Sequence, residues 1–103
     1  MLDVAKTIID GVLVLTPKRF ADERGFFVAA GVNFNFVQDN HSLSRDRGTV
    51  RGLHFQAPPF AQTKLVRVLQ GAILDVVVDA RKNSPTFGRH VSVELSAANG
   101  QQL

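Results

Sequence analysis

Hydrophobic and polar residues alternate along most of this chain with the period of two that is typical of β-strands. Segments with this alternation, or with a short apolar run, span residues 11–15, 32–38, 51–56, 64–69, 72–79 and 87–95. Turn-forming residues separate them, notably at 58–59, 70–71 and 83–85. A helix is indicated only weakly, near residues 28–30. The pattern therefore predicts an all-β fold of the jelly-roll sandwich or barrel type.

The segments 64–69 and 72–79 are joined by Gln70 and Gly71, which predicts a hairpin with these two residues at its turn. In that register Val66 lies opposite Asp75, and Lys64 is diagonal to Asp75 on the same face. A lysine and an aspartate on an inner face are costly unless they pair or serve a ligand. We therefore favour this face as inner and functional.

The opposite orientation of the hairpin would expose Lys64 and Asp75 to solvent. The core would then be filled by Leu65, Arg67, Leu74, Val76 and Val78. Arg67 argues against this orientation, because its guanidinium would point inward.

His54 in segment 51–56 and Lys64 at the start of the next segment are the candidate catalytic residues. A neutral imidazole can accept a proton from a carbon next to a ketone, and a nearby ammonium group can stabilise the resulting enolate. Together they predict proton abstraction from a carbonyl substrate.

Composition narrows the class of protein. The chain has 103 residues, 45% of them hydrophobic, which predicts one small domain over residues 1–103. No run of apolar residues approaches a membrane span and the N-terminus is no signal peptide, so we expect no membrane association and a cytoplasmic location. There is no cysteine, which excludes disulfides and thiolate metal sites within this sequence.

The formal charge is +3, with basic residues scattered singly among acids. This distribution argues against nucleic acid as a partner. It suits a small dianionic ligand, such as a diphosphate held by two or three arginines.

Six blocks in order along the chain closely resemble the dTDP-4-dehydrorhamnose 3,5-epimerase family. They are residues 22–27 (DERGFF), 36–42 (FVQDNHS), 50–56 (VRGLHFQ), 61–67 (AQTKLVR), 75–81 (DVVVDAR) and 84–88 (SPTFG). The resemblance implies a cupin-type jelly roll, usually a homodimer, acting on a dTDP-sugar. The implied reaction inverts C3 and C5 of dTDP-4-dehydro-6-deoxy-D-glucose, in the dTDP-L-rhamnose pathway, without a metal or organic cofactor.

The resemblance implies roles for the catalytic pair and its neighbours. His54 matches the family's catalytic base and Lys64 matches the lysine near the C4 oxygen of the sugar. Asp75 matches a family acid near that lysine. Cupins often bind metal through a His-x-His pair, but Gln56 stands at the second position, which argues against a metal site.

Substrate-binding positions follow from the same resemblance. Arg24 and Arg51 match arginines that contact the nucleotide diphosphate, for which the planar guanidinium is well suited. Gln38 and Asn40 match substrate-contacting positions and share a face. Asp39, between them in the same segment, is counted with these substrate-binding residues, although its side chain is expected to turn toward backbone or loop.

The chain departs from the family pattern at several points. It has no tyrosine, whereas the family uses a tyrosine as the acid on the opposite face of the sugar. Family members also continue past residue 103, and a short internal segment after Phe27 is missing. Three hypotheses stay open: an epimerase whose sequence is incompletely represented, a catalytically defective homologue that binds sugar nucleotide, and an unrelated cupin-like carbohydrate-binding or structural dimer.

Overall fold

Six β-strands form the regular structure of the computed structural model, which describes residues 2–17, 19–22, 25–28 and 37–103, with side chains for 3–17 and 37–103. The strands are β1 (Leu2–Lys6), β2 (Leu13–Pro17), β3 (Arg19–Asp22), β4 (Gly25–Val28), β5 (Ala72–Val78) and β6 (His90–Ser96). Each pairs with its neighbour along the chain in an antiparallel two-stranded sheet. The prediction of an all-β fold is confirmed. No helix within the described residues is long and apolar enough to cross a membrane.

The chain divides into two compact units. The first unit comprises Met1–Gly31 and Lys64–Leu103, and the second comprises Val32–Thr63. All six strands belong to the first unit.

The β1–β2 hairpin closes through a turn organised by Thr7. The Thr7 hydroxyl donates to the Val12 carbonyl oxygen (2.9 Å) and accepts from the Ile9 amide (3.2 Å). Gly11 has a φ of 89°, a left-handed conformation that glycine adopts without steric cost. The predicted strand 11–15 is thus present but begins and ends two residues later, because residues 11 and 12 are used in the turn.

The β3–β4 hairpin pairs Asp22 with Gly25 across residues 23–24. Those two residues, Arg24 among them, lie outside the described part of the chain. Most of the predicted strand 32–38 also lies outside it.

The β5–β6 sheet confirms the predicted strand at 72–79 almost residue for residue, and the break at 83–85 is present as a turn. The strand predicted at 87–95 begins at His90, because residues 84–88 belong to the preceding turn. Burial along β5 alternates: Asp75 and Val77 are half-buried, whereas Leu74 is 67% exposed. Asp75 and Val77 thus lie on the more buried face of β5, as favoured from the sequence, whereas Lys64, expected on the same inner face, is exposed.

The predicted hairpin between segments 64–69 and 72–79 is wrong. β5 pairs with β6 so that Asp75 lies opposite Val93, not Val66. Val66 instead exchanges two backbone hydrogen bonds with Leu103, at 2.9 and 3.0 Å. Gln70-Gly71 was predicted as the turn of this hairpin. Local sequence cannot choose for Val66 between Asp75, nine residues away, and Leu103, 37 residues away.

A small core lies in the first unit. Ile9, Leu15 and Leu95 are buried, and Gln102 is buried with them. The backbone of Gln102 exchanges two hydrogen bonds of 2.8 Å with Leu15, and it also bridges to Arg67. Residues 102–103 thereby join β2 to the segment that was predicted to be a hairpin strand.

The second unit has no strand among its described residues, 37–63. Hydrogen-bonded turns occur at Asp46–Thr49 and Ala57–Phe60. The predicted strand 51–56 is therefore wrong, since an alternating pattern forms a strand only where another segment supplies hydrogen bonds, and none of the described segments does so.

Candidate functional site

His54 lies on the surface of the second unit, beside Gly52. Gly52 has a φ of 114°, and a β-carbon placed on it would lie 3.6 Å from Nδ1 of His54. Space is therefore available, and it is the left-handed backbone that favours glycine here. The irregular backbone at Gly52 was not predicted from the sequence, although a glycine inside an alternating segment is a signal for one.

Arg51 lies beside Gly52 and is held by the segment that precedes it. Its Nε donates to Ser44 Oγ (3.2 Å), and its Nη2 lies 3.5 Å from the Leu43 carbonyl oxygen. These contacts orient the guanidinium but leave most of its N–H groups without a partner within the described residues. An exposed, oriented guanidinium of this kind can bind a phosphate group.

Gln38 and Asn40 are brought together by a hydrogen bond between their side chains, with Gln38 Nε2 donating to Asn40 Oδ1 (3.3 Å). The two amides therefore lie on one side of the chain, as the sequence predicted. Asp39 between them is exposed. The segment is irregular rather than a strand, so the shared side does not come from strand alternation.

Lys64 is exposed and lies two residues before Val66, which is anchored to Leu103. An ion pair with Asp75, one of the two arrangements left open from the sequence, is not found among the described side chains, where Arg81 pairs with Asp79. His54 and Lys64 belong to different units, so the proximity of these two side chains remains a prediction.

Asp75 is half-buried on a face shared with Ile73 and Val77. Burial raises the pKa of its carboxyl above the ordinary value of 3.8. The charged form of this carboxyl is thus disfavoured by its partial burial.

A second polar cluster follows β5, and the sequence analysis did not identify it. The buried Asp79 carboxylate accepts two hydrogen bonds from the Arg81 guanidinium (2.9 and 3.0 Å) and one each from the Ser84 and Thr86 hydroxyls (both 2.6 Å). Arg81 Nη2 also donates to the Asp10 carbonyl oxygen (3.3 Å). The cluster therefore ties the loop after β5 to the β1–β2 turn.

The hydrogen bonds from Arg81, Ser84 and Thr86 hold the pKa of Asp79 well below its ordinary value, and Asp79 in turn raises the pKa of Arg81. The signal for this cluster was the 75–81 and 84–88 blocks themselves, which place one acid, one arginine and two hydroxyls within eight positions. No site residue predicted from the sequence belongs to it, and its saturated hydrogen bonding indicates a structural role.

No group of three or more histidine, cysteine or acidic side chains that could hold a metal ion occurs in the part of the chain that the structure describes. The second unit carries exposed polar side chains of other kinds, namely the imidazole of His54, the guanidinium of Arg51 and the carboxamides of Gln38 and Asn40. They suit an anionic, hydroxyl-bearing ligand.

A family model described as dTDP-4-dehydrorhamnose 3,5-epimerase matches residues 6–103. The chain belongs to this family. The dTDP-4-dehydrorhamnose 3,5-epimerase of Shigella flexneri is 52% identical, with 99% of this chain and 61% of the relative covered. That of Salmonella typhimurium is 51% identical, with 100% and 61% covered. The resemblance read from the six sequence blocks is confirmed.

Solved structures of the epimerase family share this backbone. The dTDP-4-dehydrorhamnose 3,5-epimerase of Bacillus anthracis, solved with TDP and PPi bound, superposes with a TM-score of 0.93 at 47% identity, covering 99% of this chain and 63% of that one. The dTDP-6-deoxy-D-glucose-3,5-epimerase of Legionella pneumophila, in complex with dTDP-4-keto-L-rhamnose, gives 0.90 at 42% identity, covering 99% and 58%. The cupin-type fold class is thereby confirmed.

The chain spans about three fifths of the length of these curated epimerase relatives. Its alignment with the Salmonella typhimurium relative runs over 113 positions and takes in the whole chain of 103 residues, a difference of ten. The relative thus has ten positions without a counterpart here. That these positions follow Phe27 remains a prediction.

Proposed function

We propose that this chain provides part of the active site of an epimerase that inverts C3 and C5 of dTDP-4-dehydro-6-deoxy-D-glucose. The observation that carries the proposal is the match to the epimerase family over residues 6–103, together with relatives of that name at 51 to 52% identity. The polar groups on the second unit are of the kind that such a substrate needs. A dTDP-sugar is the proposed substrate, and a cytoplasmic homodimer without metal or organic cofactor is the proposed form.

The chemistry begins at the carbons next to the C4 ketone. His54 accepts the proton from C5 or C3 through a ring nitrogen, and the electron pair of the broken C–H bond moves into an enolate at C4. Lys64 donates a hydrogen bond to the enolate oxygen on C4 and stabilises its negative charge. Inversion requires that a proton return to the opposite face of the sugar, and we assign no donor for that step.

Substrate binding is proposed to rest on charge and on hydrogen bonds. Arg51 and Arg24 hold the diphosphate, and Arg51 is already oriented by Ser44. Gln38, Asp39 and Asn40 contact the substrate through amide and carboxylate groups. The side-chain amides of Gln38 and Asn40 are hydrogen-bonded to each other and together offer hydrogen-bond donors and acceptors to the substrate.

Solvent-hydrogen exchange tests this proposal. We expect the protein to exchange the C3 and C5 hydrogens of the dTDP-4-keto sugar with deuterium oxide, as followed by NMR, and His54→Ala to slow exchange by at least about 100-fold while nucleotide binding persists. Arg51→Ala should weaken dTDP binding, since it removes the oriented guanidinium.

Loss of both exchange and binding in His54→Ala would contradict the role of His54 as base. Binding of dTDP with no exchange in the unaltered protein would favour the second hypothesis, a catalytically defective sugar-nucleotide-binding homologue. A chain that neither exchanges nor binds would refute the proposed function.

A further inference from the structure

The turn that follows β6 contains the only Asn-Gly pair in the sequence, Asn99-Gly100. Asn99 is exposed to solvent. An asparagine can lose its side-chain amide when the backbone nitrogen of the next residue attacks its side-chain carbonyl carbon, and a glycine has no side chain to hinder that attack. The pair is therefore a candidate site of chemical modification by deamidation.

The side chain of Asn99 organises this turn. Its Oδ1 accepts hydrogen bonds from the Ser96 amide (3.2 Å) and the Gln101 amide (2.9 Å), and its Nδ2 donates to the Glu94 carbonyl oxygen (2.9 Å). The backbone amide of Asn99 donates to Ser96 Oγ (2.9 Å). The side-chain amide that deamidation would remove is thus bonded through both of its polar atoms.

The attacking nitrogen is held as well. The Gly100 amide donates to the Ser96 carbonyl oxygen (3.0 Å). Attack requires this nitrogen to lose its proton and to turn toward the side-chain carbon of Asn99, which breaks the bond to Ser96. The turn must therefore open before it can react, and the rate in the folded protein is reduced to the fraction of molecules in which the turn is open.

The segment after the turn is paired on both sides, which keeps the turn closed. Gln102 is buried and exchanges two backbone hydrogen bonds of 2.8 Å with Leu15. Leu103 exchanges two with Val66. Because residues 101–103 follow directly on the turn, it opens fully only when they detach.

We propose that Asn99 is a site of spontaneous deamidation that is closed while residues 101–103 are paired and reacts when they detach. The deprotonated Gly100 nitrogen forms a bond to Cγ of Asn99, the C–N bond of the side-chain amide breaks, and ammonia leaves with a proton taken from water. A second water molecule then opens the succinimide ring at one of its two carbonyl carbons, which gives aspartate or isoaspartate. Solvent water is the co-reactant in both steps.

Both products loosen the turn. Aspartate lacks the Nδ2 donor to Glu94 and brings negative charge close to that carbonyl oxygen. Isoaspartate routes the main chain through the former side chain and adds a methylene to it, so residues 101–103 lose the register of their pairing. Protection of the amides of Leu15 and Val66 is therefore lost. This modification is independent of the proposed function.

Mass spectrometry of the 103-residue chain tests the proposal. The chain is incubated at mildly alkaline pH, folded in buffer or unfolded in urea, and the peptide that contains Asn99 is quantified over time. We expect deamidation of Asn99 in both samples, at least about tenfold more slowly in the folded protein. Asn40 is the internal control, because the side chain of His41 hinders attack there, and it should react more slowly than Asn99 in urea.

Variants test the role of the turn. Ser96→Ala removes the hydroxyl that accepts the Asn99 amide, so deamidation of the folded protein should accelerate by about fivefold. Ser92→Ala is the matched control, because Ser92 lies in the same strand but is exposed, and it should leave the rate unchanged. In the modified protein, the amides of Leu15 and Val66 should exchange with solvent faster than before incubation.

The proposal is overturned if Asn99 is unmodified in urea, or if the folded and unfolded chains react at the same rate. It is also overturned if folded Ser96→Ala reacts no faster than Ser92→Ala, or if the modified protein keeps full protection at Leu15 and Val66. The comparison of the folded and unfolded unaltered chain decides the question if Ser96→Ala fails to fold. These readouts involve neither nucleotide binding nor epimerisation, so failure of this inference is distinguishable from failure of the proposed function.

Discussion

In the loop after β5, the Asp79 carboxylate accepts hydrogen bonds from three side chains, whereas the Arg51 guanidinium of the second unit reaches one hydroxyl and one carbonyl oxygen. Asp79 is buried and Arg51 is exposed. A charged group with all its partners in place stabilises the fold that surrounds it. A charged group oriented but left unsaturated remains available to a ligand.

The same contrast holds for the neighbouring residues. Backbone hydrogen bonds close the loop around Asp79, from the Asp79 amide to the Arg89 carbonyl oxygen (2.9 Å) and from the Gly88 amide to the Asp79 carbonyl oxygen (2.8 Å). In the second unit Leu53 and Phe55, on either side of His54, are 74% and 80% exposed. The polar residues of the loop after β5 therefore stabilise the fold, whereas those of the second unit are exposed and available to the proposed substrate.

The largest expected effect of a substitution is on activity, at a residue of the proposed substrate site. Lys64→Met should reduce the rate of hydrogen exchange by about 100-fold, because it removes the cation proposed to stabilise the enolate. The urea midpoint should not change, since Lys64 is exposed and makes no ion pair with a described residue. Lys82→Met, which removes an exposed lysine next to the Asp79 cluster, is the matched control for charge and should leave the rate unchanged.

A fall in both the urea midpoint and the exchange rate in Lys64→Met would contradict the assignment of Lys64 to the substrate site. Lys64 would then belong to the fold in the way that Asp79 does.

Next in size is the effect of Asp79→Asn on stability. The substitution removes the charge that binds Arg81, Ser84 and Thr86, so we expect a clear fall in the urea midpoint at neutral pH. Nucleotide binding by the folded fraction should be unaffected. Asp3→Asn, at an exposed acid in β1, is the control and should leave the midpoint unchanged.

The pH dependence of the same variant follows from the lowered pKa of Asp79. A carboxyl whose pKa is lowered on folding stabilises the protein above its unfolded value of 3.8, and that stabilisation is lost as the pH falls below it. The unaltered protein should therefore lose stability below pH 4 more steeply than Asp79→Asn. If the urea midpoints of the two proteins fell in parallel over this pH range, Asp79 would be ruled out as the source of the acid-dependent loss of stability.

The smallest expected effect is at Asp75. Its pKa is raised by burial, so the folded state is penalised as the pH rises above 3.8 and the carboxyl ionises. Asp75→Asn should raise stability at neutral pH by less than about 1 kcal/mol, since the group is partly exposed to solvent. The difference should vanish near pH 3, and urea titrations at the two pH values measure it. A loss of stability at pH 7 would show that the carboxylate has a partner that Asn cannot replace.

Several features could be predicted from the sequence because they depend on neighbours along the chain. The alternation of burial in β5 and the turn at 83–85 follow from strand periodicity and turn chemistry. The family was identified from ordered blocks, each of which is a local pattern. Gln38 and Asn40 were expected on one side, and their side chains are hydrogen-bonded.

The predictions that failed required knowledge of a distant partner. Segment 64–69 has a suitable pattern for a hairpin with β5, but Val66 pairs with Leu103 and β5 pairs with β6. The expected strand around His54 has no partner among the described residues. The placement of Arg24 lies outside those residues, and its role remains a prediction.

The sequence by itself determined the all-β class, the family and the chemical types available to the proposed site, because these reside in residue identity and local periodicity. Only the tertiary structure decided which strands pair, that the Asp79 carboxylate is shared by Arg81, Ser84 and Thr86, and that one face of β5 stays exposed. The physical reason is that a strand specifies which of its faces is apolar but not which other segment will complete its hydrogen bonds. That choice is made by the whole chain when it packs.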